Sequence, residues 1–126
     1  MKRNKKGVTR RNRYFIISII IVLFITMAPV NGKGTGHNLD KLIHFAIFLI
    51  LSVNLCFKYY KTDKITTAII WTILFGLITE VIQQFIPGRN MDIYDGIADT
   101  FGIIVGYYVY SNLHTRLDKI MLKFGA

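Results

Sequence analysis

The chain has 126 residues, of which 52% are hydrophobic, and a formal net charge of +9. A hydrophobic content this high indicates a membrane protein, and no part of the chain is left over that could bury a soluble core. The single cysteine, Cys56, excludes an intramolecular disulfide, and no P-loop or metal-finger spacing points to a nucleotide, an organic cofactor or a metal.

Four apolar stretches determine the predicted architecture. They lie at about residues 14–30, 42–59, 65–86 and 93–113. Each is long enough to cross a hydrocarbon layer of about 30 Å as an α-helix. We therefore predict an all-α, polytopic membrane protein. It is a bundle of four transmembrane helices in a single domain, residues 14–113, between basic tails at residues 1–13 and 114–126.

The lysine and arginine residues are distributed unevenly about these spans. Seven of the 16 precede the first span, whereas only Lys33, Lys41 and Arg89 fall in the first and third connections. By the positive-inside rule, both termini are therefore expected in the cytoplasm. A basic segment beside a span contacts anionic lipid, so the charge predicts a lipid bilayer as partner and not a nucleic acid.

The first span also resembles a signal peptide, because a basic region precedes its apolar run. No A-x-A cleavage site follows it, and Pro29 occupies the expected cleavage junction. We interpret this span as an uncleaved membrane anchor.

Several polar residues stand at the predicted outer ends of the helices. Asp40 and Asp92 precede the second and fourth spans, where a carboxylate can cap the N-terminus of a helix. Pro87 and Gly88 end the third span, and Arg89 follows beside its partially negative C-terminus. One interpretation of these charges is that they only complete helix ends.

Capping does not explain the acids that lie deeper in the fourth span. Its uninterrupted apolar part, residues 100–113, is only about 21 Å long, which is too short to cross the bilayer alone. Asp95 and Asp99 must therefore enter the membrane, four residues apart on one helix face. Gly102 and Gly106 continue that face and are expected to serve helix packing.

The third span carries a matching polar face. Gly76, Glu80 and Gln83 share this face, with Gly76 again expected to serve packing. Glu80 lies about 9 Å below the outer end of the helix, and His44 lies one turn inside the second span, four residues after Asp40. A carboxylate that faces lipid at this depth is costly, so Glu80 is expected to face the bundle interior beside a partner.

Three spans thus bring nine polar residues together in the outer third of the membrane. The predicted set is Asp40, Lys41, His44, Glu80, Gln83, Arg89, Asp92, Asp95 and Asp99. An ionisable residue inside a membrane indicates a functional site. The alternative is an ion-pair network that only holds the helices in register.

Three short motifs resemble one known family when their spacing is considered together. The chain reads DKLIHF at residues 40–45, EVIQQFIPGRNMDIYD at 80–95 and GIIVG at 102–106. This combination is similar to the VanZ-like family of bacterial integral membrane proteins, whose namesake is associated with lowered sensitivity to the glycopeptide antibiotic teicoplanin. The resemblance implies a multi-pass protein of the bacterial cytoplasmic membrane that acts in the cell envelope and affects antibiotic resistance.

One position departs from the family pattern. The family usually has asparagine where this chain has Asp99. An amide both donates and accepts hydrogen bonds, whereas an ionised carboxylate only accepts. A role of that asparagine therefore transfers to Asp99 only if a neighbour such as Lys41, His44 or Arg89 supplies a donor.

The leading functional hypothesis is a polar site near the outer leaflet that binds or acts on an envelope component. Arg89 is suited to bind a phosphate or carboxylate, with Lys41 as a point charge and His44 or Gln83 as hydrogen-bond donors. A lipid-linked cell-wall precursor, a wall peptide or the glycopeptide itself would offer such groups at the outer face. No cofactor and no metal is expected.

The alternative hypotheses use the same residues differently. An intramembrane hydrolase or transferase for a lipid-linked substrate would use His44 with Glu80 or Asp95 as acid and base, and water would attack directly because no side chain is a convincing nucleophile. A divalent cation on Glu80, Asp95 and Asp99 would suit that chemistry, although the spacing names no metal. An ion or proton pathway would use the aligned carboxylates as a relay.

Overall fold

The computed structural model describes residues 5–27, 37–60, 62–86 and 93–124 of the chain. These residues form four α-helices and no β-strand. The helices are α1 (Lys5–Met27), α2 (His37–Tyr59), α3 (Ile65–Gln83) and α4 (Ile93–Phe124). The all-α fold class is therefore confirmed for this part of the chain.

The helix ends differ from the predicted spans mainly towards the two ends of the chain. α1 begins at Lys5 and not at residue 14, and α4 continues through Phe124 and does not end at residue 113. Lysine, arginine, leucine and methionine are all good helix formers. Hydropathy therefore marks the apolar part of each helix and not the point at which the helix ends.

α2 and α4 run parallel and pack closely through small residues. A Cβ atom added to Gly102 would lie 2.5 Å from the carbonyl oxygen of Phe45, and one added to Gly106 would lie 2.7 Å from Cβ of Ser52. Both glycines therefore allow a separation between the helices that a side chain would prevent. The hydroxyl of Ser52 also donates a hydrogen bond to the carbonyl oxygen of Ile103 at 2.7 Å.

α1 and α3 run in the opposite direction. Phe15, in the first half of α1, packs on Tyr59 at the end of α2, with ring centroids 6.3 Å apart. The carbonyl oxygen of Thr26, near the end of α1, accepts a hydrogen bond from Gln83 at the end of α3. One end of the bundle, which we call the polar end, therefore joins the last turns of α1 and α3 to the first turns of α2 and α4. We call the opposite end the basic end.

Apolar side chains fill the space between the helices. One buried cluster contains Val22, Ile47, Phe48, Leu51 and Ile103. A second cluster, towards the basic end, contains Cys56, Phe57 and Tyr110. Because the Cys56 thiol is free and buried, it serves as a packing residue at this position.

Two helical segments among the described residues are long and apolar enough to cross a membrane. They are Lys41–Tyr59 and Ile65–Gln83, with mean hydropathies of 1.8 and 2.0. Large apolar side chains also face outward on the other helices, among them Phe24 on α1, which is 77% exposed, and Phe101 on α4, which is 60% exposed. An apolar exterior around buried carboxylates suits a lipid environment. The four-span arrangement and the cytoplasmic position of both termini stay predictions.

Candidate functional site

The centre of the candidate site is the imidazole of His44, which is almost fully buried at the polar end. Its Nδ1 atom lies 2.8 Å from Oδ1 of Asp99 and 3.6 Å from Oε1 of Glu80. Its Nε2 atom lies 3.9 Å from Oδ2 of Asp95. Carboxylates from α3 and α4 therefore face both nitrogens of one histidine on α2.

These carboxylates are buried because of where the helix periodicity puts them. Asp95 and Asp99 lie one turn apart on α4 and share the face that packs on α2, and they are only 4% and 1% exposed. Glu80 approaches from α3 and is 4% exposed. Gly76 leaves room for this arrangement, since a Cβ atom added there would lie 3.2 Å from the ring of Phe48 and 3.4 Å from Cβ of Asp99.

Lys41 lies at the mouth of the cluster, one turn before His44 on α2. Its Nζ atom is 3.8 Å from Oδ1 of Asp95 and 5.9 Å from the ring centroid of Tyr94. The lysine side chain is 30% exposed, whereas that of Asp95 is 5% exposed. The ammonium group can therefore contact both the buried acid and a ligand that arrives from outside.

The structure directs the predicted site residue Gln83 towards α1. Its Nε2 atom donates a hydrogen bond of 2.9 Å to the carbonyl oxygen of Thr26, and both side chains are buried. Thr26 was not predicted as part of this region, because its contribution is a backbone carbonyl and the residue type gives no signal for that. The amide of Gln83 thus ties the end of α3 to the end of α1, beside the cluster.

Three predicted site residues cannot be placed beside these groups. Arg89 and Asp92 lie outside the described residues, and for Asp40 the described part is the helical backbone and not the side chain. The capping roles of Asp40 and Asp92 and the anion-binding role of Arg89 therefore stay predictions. Asp95 directs its carboxylate towards Lys41 and His44.

Comparison with known proteins identifies the family. A family model for VanZ/LLP1 matches residues 4–114, a range that includes the whole cluster. The chain belongs to the VanZ/LLP1 family. The family resemblance predicted from the three motifs is thereby confirmed.

A yeast protein is also similar to this VanZ-like protein. An uncharacterized protein of Schizosaccharomyces pombe, C11E3.10, is 26% identical over 113 residues, which cover 86% of this chain and 68% of the yeast protein. No solved structure matches the chain. Membership of the family therefore does not by itself assign a bacterial source or an antibiotic.

The arrangement offers two kinds of chemistry in this VanZ-like fold. Histidine and carboxylate groups within hydrogen-bond reach of each other can exchange protons with a bound substrate. Imidazole nitrogen and carboxylate oxygen are also ligands for divalent metal ions, and one such atom from each of His44, Glu80 and Asp99 lies within 4.8 Å of the others. Both kinds of chemistry use the same buried groups, at the interface of three helices.

An apolar cleft of about 280 Å³ lies between α1, α2 and α3, closer to the basic end. Its walls include Phe15, Trp71 and Phe75. The ring of Phe75 packs on Phe48, with centroids 6.2 Å apart. Phe48 lies next to Gly76, which is also next to Asp99. Two aromatic rings therefore separate this cleft from the buried polar cluster.

A second polar contact, at the basic end, was not predicted. Arg11 of α1 donates a hydrogen bond to the carbonyl oxygen of Phe57, and its guanidinium lies 4.2 Å from the centroid of the Phe57 ring. The same guanidinium lies 3.7 Å from the carboxylate of Asp118 on α4. The hydroxyl of Tyr110 also donates to Asp118. Arg11 and Asp118 were both assigned to tails, and they meet only because α1 and α4 continue as helices into those segments.

Proposed function

We propose that this VanZ-like protein is a multi-pass protein of the bacterial cytoplasmic membrane that lowers susceptibility to teicoplanin-type glycopeptides. It does so by binding or acting on an envelope component at the cluster of His44, Glu80, Asp95 and Asp99. The observation that supports this proposal is the burial of three carboxylates and an imidazole inside a bundle whose exterior is apolar. Such groups are costly to bury in a membrane protein unless they have a function or a structural partner.

The distribution of basic residues favours a position of the site at the outer leaflet. The first and third connections, which flank the polar end, contain few lysine and arginine residues, whereas the segments at the basic end contain most of them. The positive-inside rule therefore favours an outward-facing polar end. An envelope component can reach a site there without crossing the membrane.

A lipid-linked cell-wall precursor is the ligand that fits these features best. Its polar head group would lie at the polar end, where Lys41 is partly exposed and where Arg89 follows α3 in the sequence. Its hydrocarbon chain would lie along the apolar helix faces, with the cleft beside Phe15 and Trp71 as one place for it. A wall peptide or the glycopeptide would use the head-group region alone.

Antibiotic susceptibility of a complemented deletion strain tests this proposal. The strain would receive wild type, Glu80→Gln, Asp99→Asn or His44→Gln, and Asp118→Asn would serve as a control that removes a carboxylate at the basic end. We expect wild type and the control to restore the minimal inhibitory concentration of teicoplanin, and the Glu80 and His44 variants to fail at equal abundance in the membrane. If every variant is abundant and fully protective, the cluster has no part in this function.

A second candidate function is hydrolysis or transfer on a lipid-linked substrate. It is favoured by the position of His44, whose two nitrogens both face carboxylates. In a hydrolysis, Glu80 would take a proton from water as the water oxygen bonds to the substrate phosphorus, and His44 would give a proton to the leaving oxygen as its bond breaks. Purified protein that releases phosphate from a lipid-linked diphosphate, and loses this activity in Glu80→Gln while it still binds the lipid, would support this candidate over simple binding.

A further inference from the structure

The cluster contains a set of metal-ligand atoms on one side of the His44 ring. One ring nitrogen of His44 and one carboxylate oxygen from each of Glu80 and Asp99 all lie within 4.8 Å of one another. Nδ1 is the nitrogen that faces both acids, at 2.8 Å from Asp99 and 3.6 Å from Glu80. Metal–ligand bonds of about 2.0–2.2 Å place two ligand atoms on one ion about 3–4.4 Å apart. Small side-chain rotations would therefore bring all three atoms onto a single ion. The three residues come from three helices and are all buried, so the bundle fixes their positions.

We propose that this site binds one divalent first-row transition-metal ion, of the Mn²⁺, Fe²⁺ or Zn²⁺ class, through Nδ1 of His44 and the carboxylates of Glu80 and Asp99. The nitrogen ligand disfavours Ca²⁺ and Mg²⁺, which prefer oxygen ligands alone. A thiolate that would select Cu⁺ is not among these three residues, and Cys56 lies with Phe57 and Tyr110 towards the basic end. The donor set therefore defines the class of ion.

The other side of the His44 ring supports this inference independently. A histidine that binds a metal through one nitrogen commonly donates its other N–H group to a carboxylate, which fixes the tautomer and the ring orientation. Here Nε2 lies 3.9 Å from Oδ2 of Asp95, and Oδ1 of Asp95 lies 3.8 Å from Nζ of Lys41. At 3.9 Å the carboxylate of Asp95 faces Nε2 without a hydrogen bond, and a small movement of Asp95 would let it accept the N–H group and act as a positioning residue for His44. Lys41 contacts Asp95 at the mouth of the site.

A bound ion would change which ligands the cluster can accept. Three carboxylates repel a phosphate or a carboxylate, whereas a divalent ion with three protein ligands has at least one position left for water or for an oxygen of the ligand. Lys41, which is partly exposed, would then contact the same anionic group. The ion would thus let an acidic site bind the anionic head group of the proposed ligand, a step that rests on the proposed function. Metal binding does not depend on the antibiotic-related function and is tested apart from it.

Metal content of the purified protein tests the proposal. The full-length protein, carrying an affinity tag without histidine, would be stripped with a chelator in detergent and incubated separately with Mn²⁺, Fe²⁺ under anaerobic conditions, or Zn²⁺. After desalting, elemental analysis gives the ratio of metal to protein. The variants are Glu80→Gln and Asp99→Asn in the ligand set, Asp95→Asn behind His44, and Asp118→Asn as a control at the basic end.

We expect about one ion per wild-type chain and an unchanged ratio in Asp118→Asn. Glu80→Gln and Asp99→Asn should each weaken metal binding by more than about tenfold, and Asp95→Asn should weaken it by about tenfold. The ion should also raise the thermal unfolding midpoint of wild type, a readout that needs no variant to fold. A wild-type protein that retains none of the three ions, or that binds one as tightly in Glu80→Gln and Asp99→Asn as in wild type, would overturn the proposal, whatever the susceptibility assay shows.

Discussion

Nδ1 of His44 on α2 lies 2.8 Å from Oδ1 of Asp99 on α4, and the two side chains are 2% and 1% exposed. The two helices run parallel, and the close approach at Gly102 and Gly106 lies directly below this contact on α4. Helix packing therefore brings the imidazole and the carboxylate together, although the residues are far apart in sequence. The same contact belongs to the candidate site and to the stability of the α2–α4 pair.

The first prediction concerns the charge of Asp99. In the metal-free protein, replacing Asp99 by leucine should lower the free energy of unfolding by about 2–3 kcal/mol, because the buried N–H group of His44 loses this charged acceptor. Replacing it by asparagine should cost only about 1 kcal/mol, because the amide oxygen can still accept a hydrogen bond from His44. Unfolding of both variants in mixed micelles checks the difference. Equal losses for leucine and asparagine would mean that the hydrogen bond has no stabilising role.

The second prediction concerns the separation of α2 and α4. In Gly102→Ala the new Cβ atom would lie 2.5 Å from the carbonyl oxygen of Phe45, so the helices must move apart. We expect a loss of about 1–3 kcal/mol in stability. Gly96→Ala is the matched control, because its Cβ atom would meet only side chains at ordinary contact distances, Cδ2 of Leu77 at 3.4 Å and Cγ of Glu80 at 3.7 Å. Alanine is the better helix former, so this control should be neutral or more stable by about 0.5–1 kcal/mol.

Much of the cluster could be predicted from the sequence. The helical period assigns Asp95 and Asp99 to one face, and the short apolar run after them requires both to enter the membrane. The high cost of a charge that faces lipid then directs Glu80 and His44 towards the same interior. These arguments predict the depth and the helix face of each residue, which together decide whether side chains on neighbouring helices meet.

The contacts that were missed depend on features that residue types do not encode. The acceptor for Gln83 is the backbone carbonyl of Thr26, and every residue in a helix has such a carbonyl. The contact between Arg11 and Asp118 requires α1 and α4 to continue beyond their apolar parts. Hydropathy places the boundary of the apolar region, and it contains no information about a helix that extends past it.

The third prediction follows from the hydrogen bond between α3 and α1. Gln83→Leu should lower stability by about 1–2 kcal/mol, because it leaves a buried carbonyl oxygen of Thr26 without this donor. The neighbouring Gln84 is exposed, so Gln84→Leu should change stability by less than about 0.5 kcal/mol. Thermal unfolding of the two variants in the same detergent gives the comparison. If Gln83→Leu is as stable as Gln84→Leu, the bond does not hold the polar end together.

The fourth prediction concerns the basic end. Arg11 donates to the carbonyl oxygen of Phe57, packs on its ring and approaches Asp118 through one planar guanidinium group. A lysine cannot reproduce these contacts together, so Arg11→Lys should lose about 1–2 kcal/mol of stability. Arg116→Lys, at an exposed position of α4, should leave stability unchanged within about 0.5 kcal/mol. Similar unfolding midpoints for both lysine variants would mean that the contacts of Arg11 do not stabilise the fold, and that Arg11 contributes only its positive charge to the topology signal.

The fifth prediction tests the orientation on which the outer-leaflet site depends. Cys56 is fully buried, so the wild-type protein should not react with a membrane-impermeant thiol reagent and is a suitable background for single cysteines. Asn90→Cys, in the connection after α3, should be labelled in intact cells, because that connection carries a single basic residue and is expected outside. Asp63→Cys, in the exposed turn before α3, should be labelled only after the membrane is permeabilised. The opposite pattern would put the His44 cluster at the cytoplasmic face, and a lipid-linked precursor at the outer leaflet could then no longer reach it.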